Sequence, residues 1–281
     1  MFETISLYPN PTRNVAFEAL SEVARVLFAR GKRLLVERSH QARLCDVEGL
    51  EFVASEELYR ADLIVVFGGD GTLLSAAHEA SKTGIPILGI NCGHIGFMTS
   101  FSAEELDRFA SWRAEDFRIE ERMMLRVLHR GHEYHALNEA CVVSKNSCTI
   151  SEFDALVDDN LIGNYRADGL IVATSTGSTA YSLSAGGAAV DPRLDCICIT
   201  PICPHSLLRA RPIIVPPSAT VTLRHTTSDR SAAVLCVDGR EEIELGGEPV
   251  RITKSERATR LLFPRDHHFC SVLYSKFFER N

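Results

Sequence analysis

Gly68-Gly69-Asp70-Gly71-Thr72 follows directly on Asp62-Leu63-Ile64-Val65-Val66-Phe67, and this junction decides the fold of the first part of the chain. The run 63–67 is short, uncharged and rich in β-branched residues, the pattern of a strand buried on both faces of a parallel sheet. The glycines open the connection at its carboxyl end, where open α/β sheets bind their ligands. Without a Cβ, glycine lets backbone N–H groups come close to phosphate oxygens. Asp70 would repel a phosphate there unless it binds a cation or accepts a proton from an attacking hydroxyl, so the loop points to phosphoryl transfer. A plain tight turn between strand and helix uses the same residue types. Against that stands Leu73-Leu74-Ser75-Ala76-Ala77-His78-Glu79-Ala80, a helix pattern with Thr72 near its start, whose dipole favours anions at the loop.

Outward from this junction, residues 4–8, 33–37 and 85–90 read as further strands and 13–30 as an amphipathic helix. Strands alternating with helices argue a doubly wound parallel sheet. The pattern changes near residue 115. Beyond Phe117 come short β-type segments at 124–129, 134–144, 153–157, 161–165, 170–173 and 219–223, punctuated by Arg130-Gly131 and Asp158-Asp159-Asn160, which argues an antiparallel β domain. The expected organisation is an α/β domain with a parallel sheet at 1–115, and a mainly antiparallel β domain at 116–259. Residues 260–281 are expected to pack back on the first domain.

A chain of 281 residues, 45% hydrophobic, can bury the core of two domains. Its formal charge of −7 and the absence of any Lys/Arg-rich run exclude a general nucleic-acid footprint. The N-terminal residues lack the pattern of a signal peptide, and no apolar run reaches membrane-spanning length, so a cytoplasmic protein without a membrane partner is expected. Nine cysteines without framework spacing are expected to be reduced and mostly buried thiols. Cys196, Cys198, Cys203 and His205 are zinc-type donors, but their spacing in an apolar strand fits core packing better. His129, His132 and His135 flank Gly131, where a solvated hairpin would splay them onto different strands. No metal held directly by protein ligands is expected.

A second dense signal is Asn164-Tyr165-Arg166-Ala167-Asp168-Gly169-Leu170, leading to Thr174-Ser175-Thr176-Gly177-Ser178-Thr179-Ala180-Tyr181-Ser182-Leu183-Ser184-Ala185-Gly186-Gly187. The latter stretch is mostly Gly, Ser and Thr, and reads as a ligand-binding loop running into a helix. Hydroxyls and exposed amides there can bond a base edge or a ribose, and Tyr181 offers a ring for stacking. A serine-rich surface loop is the plainer alternative. Neither Gly-x-x-x-x-Gly-Lys-Ser/Thr nor Gly-x-Gly-x-x-Gly occurs, which leaves phosphate handling to the loop at Gly68.

Taken in order, Gly68 to Thr72, Gly89-Ile90-Asn91-Cys92-Gly93-His94-Ile95-Gly96-Phe97-Met98-Thr99, Asn138-Glu139, Tyr165 to Gly169, Thr176 to Gly187 and Pro201-Ile202-Cys203-Pro204-His205-Ser206-Leu207 resemble the motif set of bacterial NAD kinases. The first block alone also occurs in lipid kinases and loosely in phosphofructokinases; the Asn-Glu pair and the Gly-Ser-Thr-Ala-Tyr-Ser loop do not. The resemblance implies a two-domain NAD kinase-like fold and ATP-dependent phosphorylation of the 2′-hydroxyl on the adenosine ribose of NAD. It implies Asp70 as proton acceptor, in a loose transition state that needs little activation of the nucleophile until late. Gly68, Gly69, Gly71 and Thr72 would form the phosphate loop, with Mg²⁺ bridging the triphosphate oxygens. Asn138, Glu139, Arg166, Asp168, Thr179, Ala180, Tyr181, Ser182, Leu183 and Ser184, together with Gly71, would bind NAD. A homodimer or homotetramer is also implied.

Three positions depart from that pattern. Ser175 stands where proline is common, Leu208-Arg209-Ala210 has one residue more than usual, and Arg240 replaces a frequent glutamine. The competing readings are a dinucleotide sensor without turnover and a lipid or sugar kinase sharing the first domain.

Overall fold

The computed structural model describes residues 2–93, 96–106, 109, 113–145, 151–205, 210–227 and 233–278. The chain divides into two compact units, Met1–Glu121 together with Thr259–Asn281, and Arg122–Ala258.

In the first unit, β1 (Thr4–Pro9), β2 (Arg33–Glu37), β3 (Leu50–Val53), β4 (Leu63–Gly68), β5 (Ile87–Asn91) and the short β6 (Phe101–Ser102) form a parallel sheet in the order β3-β2-β1-β4-β5-β6. Leu7 sits beside Val36 on one side and Val65 on the other. The chain therefore winds outward from β1 to β3 and returns on the opposite side of β1. The carboxyl ends of β1 and β4 flank this reversal, the place where such sheets leave a crevice for a ligand. Helix α1 (Asn14–Ala29) buries Phe17, Leu20, Val23, Ala24 and Leu27 in one core with Leu7, Val36 and Val65. Their helical spacing makes one apolar stripe, and each fully buried leucine contributes about 1.5–3 kcal/mol.

Helix α2 (Asp70–Thr83) begins earlier than the sequence suggests. Asp70, Gly71 and Thr72 are its first turn and not a loop. Gly69, in an extended conformation, is the cap residue, and its carbonyl accepts the Thr72 N–H at 3.0 Å and the Leu73 N–H at 3.1 Å. An aspartate in the first turn complements the helix dipole, which favours starting there. The helix ends at Gly84, whose φ of +72° permits its N–H to reach the Ala80 carbonyl at 2.9 Å.

The second unit holds most of β7 (Phe117–His129), then β8 (His132–Ala136), β9 (Glu139–Ser144), β10 (Ser151–Val157), β11 (Asn160–Ala167), β12 (Gly169–Thr174), the single-turn α3 (Tyr181–Ser184), β13 (Ile197–Ile202), β14 (Ile213–Val215), β15 (Val221–His225), β16 (Ala233–Val237), β17 (Glu241–Glu244) and most of β18 (Val250–Pro264). One antiparallel sheet runs β14-β13-β12-β9-β16-β17; the other strands run β11-β10-β15-β18, with β7 beside β18 and β8. Val142, Val172, Ile199 and Leu235 of the first share a core with Phe153, Leu223 and Ile252 of the second. Arg130 and Gly131 at φ +50° and +76° close β7–β8, and Asp158 and Asp159 at +48° and +63° close β10–β11. Two residues at positive φ are the hairpin geometry that matches strand twist.

Three expectations fail. Residues 134–144 are not one strand but two, broken at Leu137-Asn138. The histidine hairpin does splay His129 onto β7 and His132 and His135 onto β8 with an exposed tip that includes His132, but it is solvated only there: His129 and His135 are 2% and 6% exposed, with His135 Nδ1 2.9 Å from Ser255 Oγ. The thiols are not mostly buried either, since Cys45, Cys203 and Cys270 are exposed and Cys236 half-buried, while Cys148 lies outside the described residues.

The end of the chain belongs to the first unit. Leu261 lies beside Ile87, and the Arg118 guanidinium donates to the carbonyls of Pro264 at 2.8 Å and His267 at 2.7 Å. Helix α4 (Phe269–Phe278) follows, its Phe269 ring 6.0 Å from that of Phe97. Among the described residues no helix is long and apolar enough to cross a membrane.

Candidate functional site

At the carboxyl ends of β1 and β4, the first unit has a cavity of about 550 Å³ lined by Tyr8, Asn10, Arg13, Gly69, Gly71, Thr72, Ser75 and Asn91. Asn10 builds one wall. Its N–H reaches the Phe67 carbonyl at 2.8 Å, its Oδ1 accepts the Thr12 N–H at 3.0 Å, and its Nδ2 donates to Thr72 Oγ1 at 2.9 Å. Thr72 in turn lies so close to Gly68 that a Cβ there would overlap its side chain. Arg13 donates from Nη1 to the Cys92 carbonyl at 3.3 Å and lines the same cavity. Reading the sequence missed Asn10 and Arg13. The available signal was Asn-Pro-Thr at the end of the central strand β1, beside the reversal in strand order.

Asp70 is fixed from the other side. The Phe97 N–H donates to Oδ2 at 2.8 Å and the Met98 N–H to Oδ1 at 3.0 Å. A Cβ on Gly96 would overlap the same carboxylate, so this segment approaches Asp70 as only glycine allows. Each oxygen keeps a lone pair for a further donor. His94 and Ile95 of the same motif lie outside the described residues. No group of three His, Cys, Asp or Glu side chains that could hold a metal ion occurs among the described residues.

In the second unit the break at Leu137-Asn138 has a specific cause. Asp238, in the β16–β17 turn at φ +49°, accepts the N–H groups of Leu137 at 2.8 Å, Asn138 at 2.9 Å and Glu139 at 3.1 Å. Across the break, Thr174 donates its N–H to the Asn138 carbonyl at 2.9 Å and its Oγ1 to the Leu137 carbonyl at 2.6 Å. Gly177 lies against the Asn138 backbone so closely that a Cβ would overlap it. The Asn-Glu pair and the Gly-Ser-Thr loop are thereby one local structure. Asp238 was not foreseen as part of it.

Among the described residues, that structure leaves polar atoms without hydrogen-bond partners. Glu139 Oε2, Ser175 Oγ and Thr176 Oγ1 are buried with no hydrogen bond among the described residues. Burial, then the nearby Asp238 carboxylate, pushes the Glu139 carboxyl up to about 8. Asp238 is raised too, burial outweighing its three N–H bonds, while the exposed Arg240 pulls in the opposite direction.

Tyr181 begins α3, 42% exposed, with burial first and then Cys141, Cys203, Asp168 and Cys236 disfavouring its phenolate. Thr179 Oγ1 donates to the Thr176 carbonyl at 3.2 Å, the Ala180 N–H to the Gly177 carbonyl at 2.9 Å, and Ser182 Oγ pairs with Thr200 Oγ1 at 2.9 Å. Leu183 is half-buried and Ser184 exposed. Arg166 and Asp168 are both exposed; Arg166 Nε faces Glu152 at 3.6 Å, and no pair with Asp168 forms. Ser206, Leu207, Leu208 and Arg209 lie outside the described residues, so the extra residue beside Ala210 has no structural account.

Glu139 carries a pH signature. Its folded pKa lies above the usual carboxylate value, so the native state holds the proton more tightly than the unfolded chain. The resulting penalty is absent below about pH 4.3 and complete above about pH 8. Glu139→Gln is therefore expected to match wild type in stability near pH 4 and to exceed it by roughly 2–4 kcal/mol at pH 9. Denaturant melts at the two pH values check this, and an equal gain at both would rule it out.

Two family descriptions match this chain: ATP-NAD kinase N-terminal domain over residues 7–112 and ATP-NAD kinase C-terminal domain over residues 137–263. A NAD kinase of Geobacter metallireducens is 41% identical over 236 residues, 81% of this chain and 83% of its own length. One from Heliobacterium modesticaldum is 38% identical over 280 residues, 97% and 98% of the two chains. Among solved structures, an Archaeoglobus fulgidus NAD kinase in complex with ATP superposes with a TM-score of 0.76 at 26% identity, covering 99% of each chain. Yeast NADH kinase complexed with NADH gives a TM-score of 0.86 at 24% identity, covering 100% of this chain and 89% of its own, a likeness of fold.

Proposed function

This chain belongs to the ATP-NAD kinase family, and from that premise we propose that it transfers a phosphoryl group from ATP to the 2′-hydroxyl of the adenosine ribose of NAD, giving NADP. The observation that carries the reading is the Asp70 carboxylate, held by two backbone N–H groups at the start of a helix whose first turn lines a cavity at the reversal in strand order.

The triphosphate, bound as its Mg²⁺ complex, lies in the cavity against the first turn of α2. The helix dipole and the Arg13 guanidinium favour its negative charge there, and a divalent cation carried by the triphosphate would supply further neutralisation of the transferred group. Asp70 uses its remaining lone pairs to orient the acceptor hydroxyl and takes its proton as the new P–O bond forms. Its free pKa of about 3.9 makes it a weak base toward an alcohol, which suffices because the proton leaves late in a loose transition state.

The dinucleotide takes the polar atoms left over in the second unit. At neutral pH the raised pKa keeps Glu139 protonated, able both to donate to and accept from ribose hydroxyls. Ser175 and Thr176 hydroxyls, the Asn138 side chain and Asp168 bond base or ribose, and Tyr181 packs against a ring. A sensor without turnover would have no use for a carboxylate fixed as Asp70 is. A lipid kinase would have none for the buried hydroxyls. The proposed assembly is a homodimer or homotetramer, in the cytoplasm.

Arg13→Ala is expected to raise the KM for ATP about tenfold, the cost of one charge-assisted contact, while the KM for NAD changes less than twofold. Initial rates with each substrate varied in turn check this. The function itself is tested by chromatography of a mixture of protein, NAD, ATP and Mg²⁺. ADP and NADP should accumulate in equal amounts, with a parallel arm containing polyphosphate as donor. ADP without NADP would contradict the reading.

A further inference from the structure

Cys141 and Cys236 face each other on adjacent strands. The register of β9 with β16 places them directly opposite, with their side chains on the same face of the sheet. The Asp238 N–H donates to the Glu139 carbonyl at 2.9 Å, carrying the contact between the two segments on past that pair. Residues directly opposite on antiparallel strands have Cα atoms about 4.5–5.5 Å apart, inside the range a disulfide bridges. Cys141 is buried, but Cys236 is half-buried and open to a small reagent. Both share a face of the sheet with Glu139, since side chains two apart on a strand point the same way.

We propose that Cys141 and Cys236 are a dithiol site at which a low-molecular-weight disulfide forms an intrachain disulfide, and that this bond disables the dinucleotide pocket; the second part rests on the function proposed above. Cys236 reacts first. It is the half-buried thiol of the two, whereas Cys141 is buried. The thiolate attacks one sulfur of the reagent, the reagent's S–S bond breaks, and one thiolate leaves and takes up a proton. Cys141 then loses its proton, attacks the Cys236 sulfur and expels the second thiol. The protein gives up two electrons and two protons, and the reagent becomes two thiols.

The consequence follows from what else the two strands carry. Asp238, two residues after Cys236, is the acceptor that holds the N–H groups of Leu137, Asn138 and Glu139. Cys141 is two residues after Glu139. An S–S bond of about 2.05 Å with its near-perpendicular dihedral replaces a looser thiol contact and shifts both strands beside those three bonds.

Whole protein is incubated with oxidised glutathione, alkylated while unfolded, and peptide-mapped by mass spectrometry, with NADP formation measured on the same sample. The expected result is a cross-linked Cys141–Cys236 peptide, a fall in rate of about a hundredfold, as for a catalytic geometry displaced by an ångström, and recovery with dithiothreitol. Cys236→Ser and Cys236→Ala should lack the cross-link and keep their rate under the same treatment. A cross-link only between Cys196 and Cys198, adducts only at exposed Cys45, Cys203 or Cys270, or a Cys141–Cys236 bond that leaves the rate unchanged would overturn the proposal. If untreated protein makes no NADP, the enzymatic reading fails separately, and the peptide map still decides whether the dithiol site exists.

Discussion

Asp70→Asn is expected to lower the rate of NADP formation by about three orders of magnitude, within the range for loss of a positioned proton acceptor, while NAD binds within a few-fold of wild type. Asparagine keeps the shape of the side chain, so the first turn of α2 and the cavity remain. It loses the charge that receives the proton, and its amide nitrogen must face the Phe97 or Met98 N–H, where both aspartate oxygens now accept. A loss of about 1 kcal/mol in stability should accompany the change, for one hydrogen bond unmade. Single-turnover rates and NAD titration on the same preparation separate the two effects. A rate within tenfold of wild type would remove Asp70 from the chemistry.

The second large effect is expected from Gly177→Ala. A methyl group there runs into the carbonyl and Cα of Asn138, and backbone cannot move aside as the end of a flexible side chain can. The overlap separates the Gly-Ser-Thr loop from the Asn-Glu pair and breaks the Thr174 bonds to Leu137 and Asn138. NAD affinity should fall by a hundredfold or more, roughly 3 kcal/mol or beyond, since several contacts are lost together. Binding of ATP at the first unit should change little. Calorimetric titration with each nucleotide is the check, and an unaltered NAD affinity would mean that this loop does not contribute to the pocket.

The parts legible in the sequence were those whose signals are local. Residues 63–67 announced β4 because a strand buried on both faces needs an unbroken apolar run, and Gly68 to Thr72 marked its carboxyl end. The run 73–80 carries the helix pattern, but its start is not legible, because glycine at position 71 reads as a loop residue while the helix begins at Asp70. Long-range partners were not legible. Asp238 acts on residues about a hundred positions earlier in the chain, and nothing near Val237-Asp238-Gly239-Arg240 distinguishes its role from that of an ordinary turn.

Histidines 129 and 135 show the same limit. Around Arg130-Gly131 they looked like the arms of a surface hairpin, and the turn does form. Burial was set by strands more than a hundred residues away, where the Pro249 carbonyl lies 3.3 Å from His129 Nδ1 and Ser255 meets His135. Asn10 and Arg13 escaped for a related reason. Their meaning depends on strand order, which puts β1 beside β4, and strand order is not written in either segment alone.

The central claim is that this chain phosphorylates one particular hydroxyl, and the most direct measurement is phosphorus NMR of the product formed from NAD and ATP with Mg²⁺. The expected spectrum has a single new phosphomonoester signal coupled to the 2′ position of the adenosine ribose. A phosphate on any other hydroxyl, or inorganic phosphate released with NAD left unmodified, would contradict it.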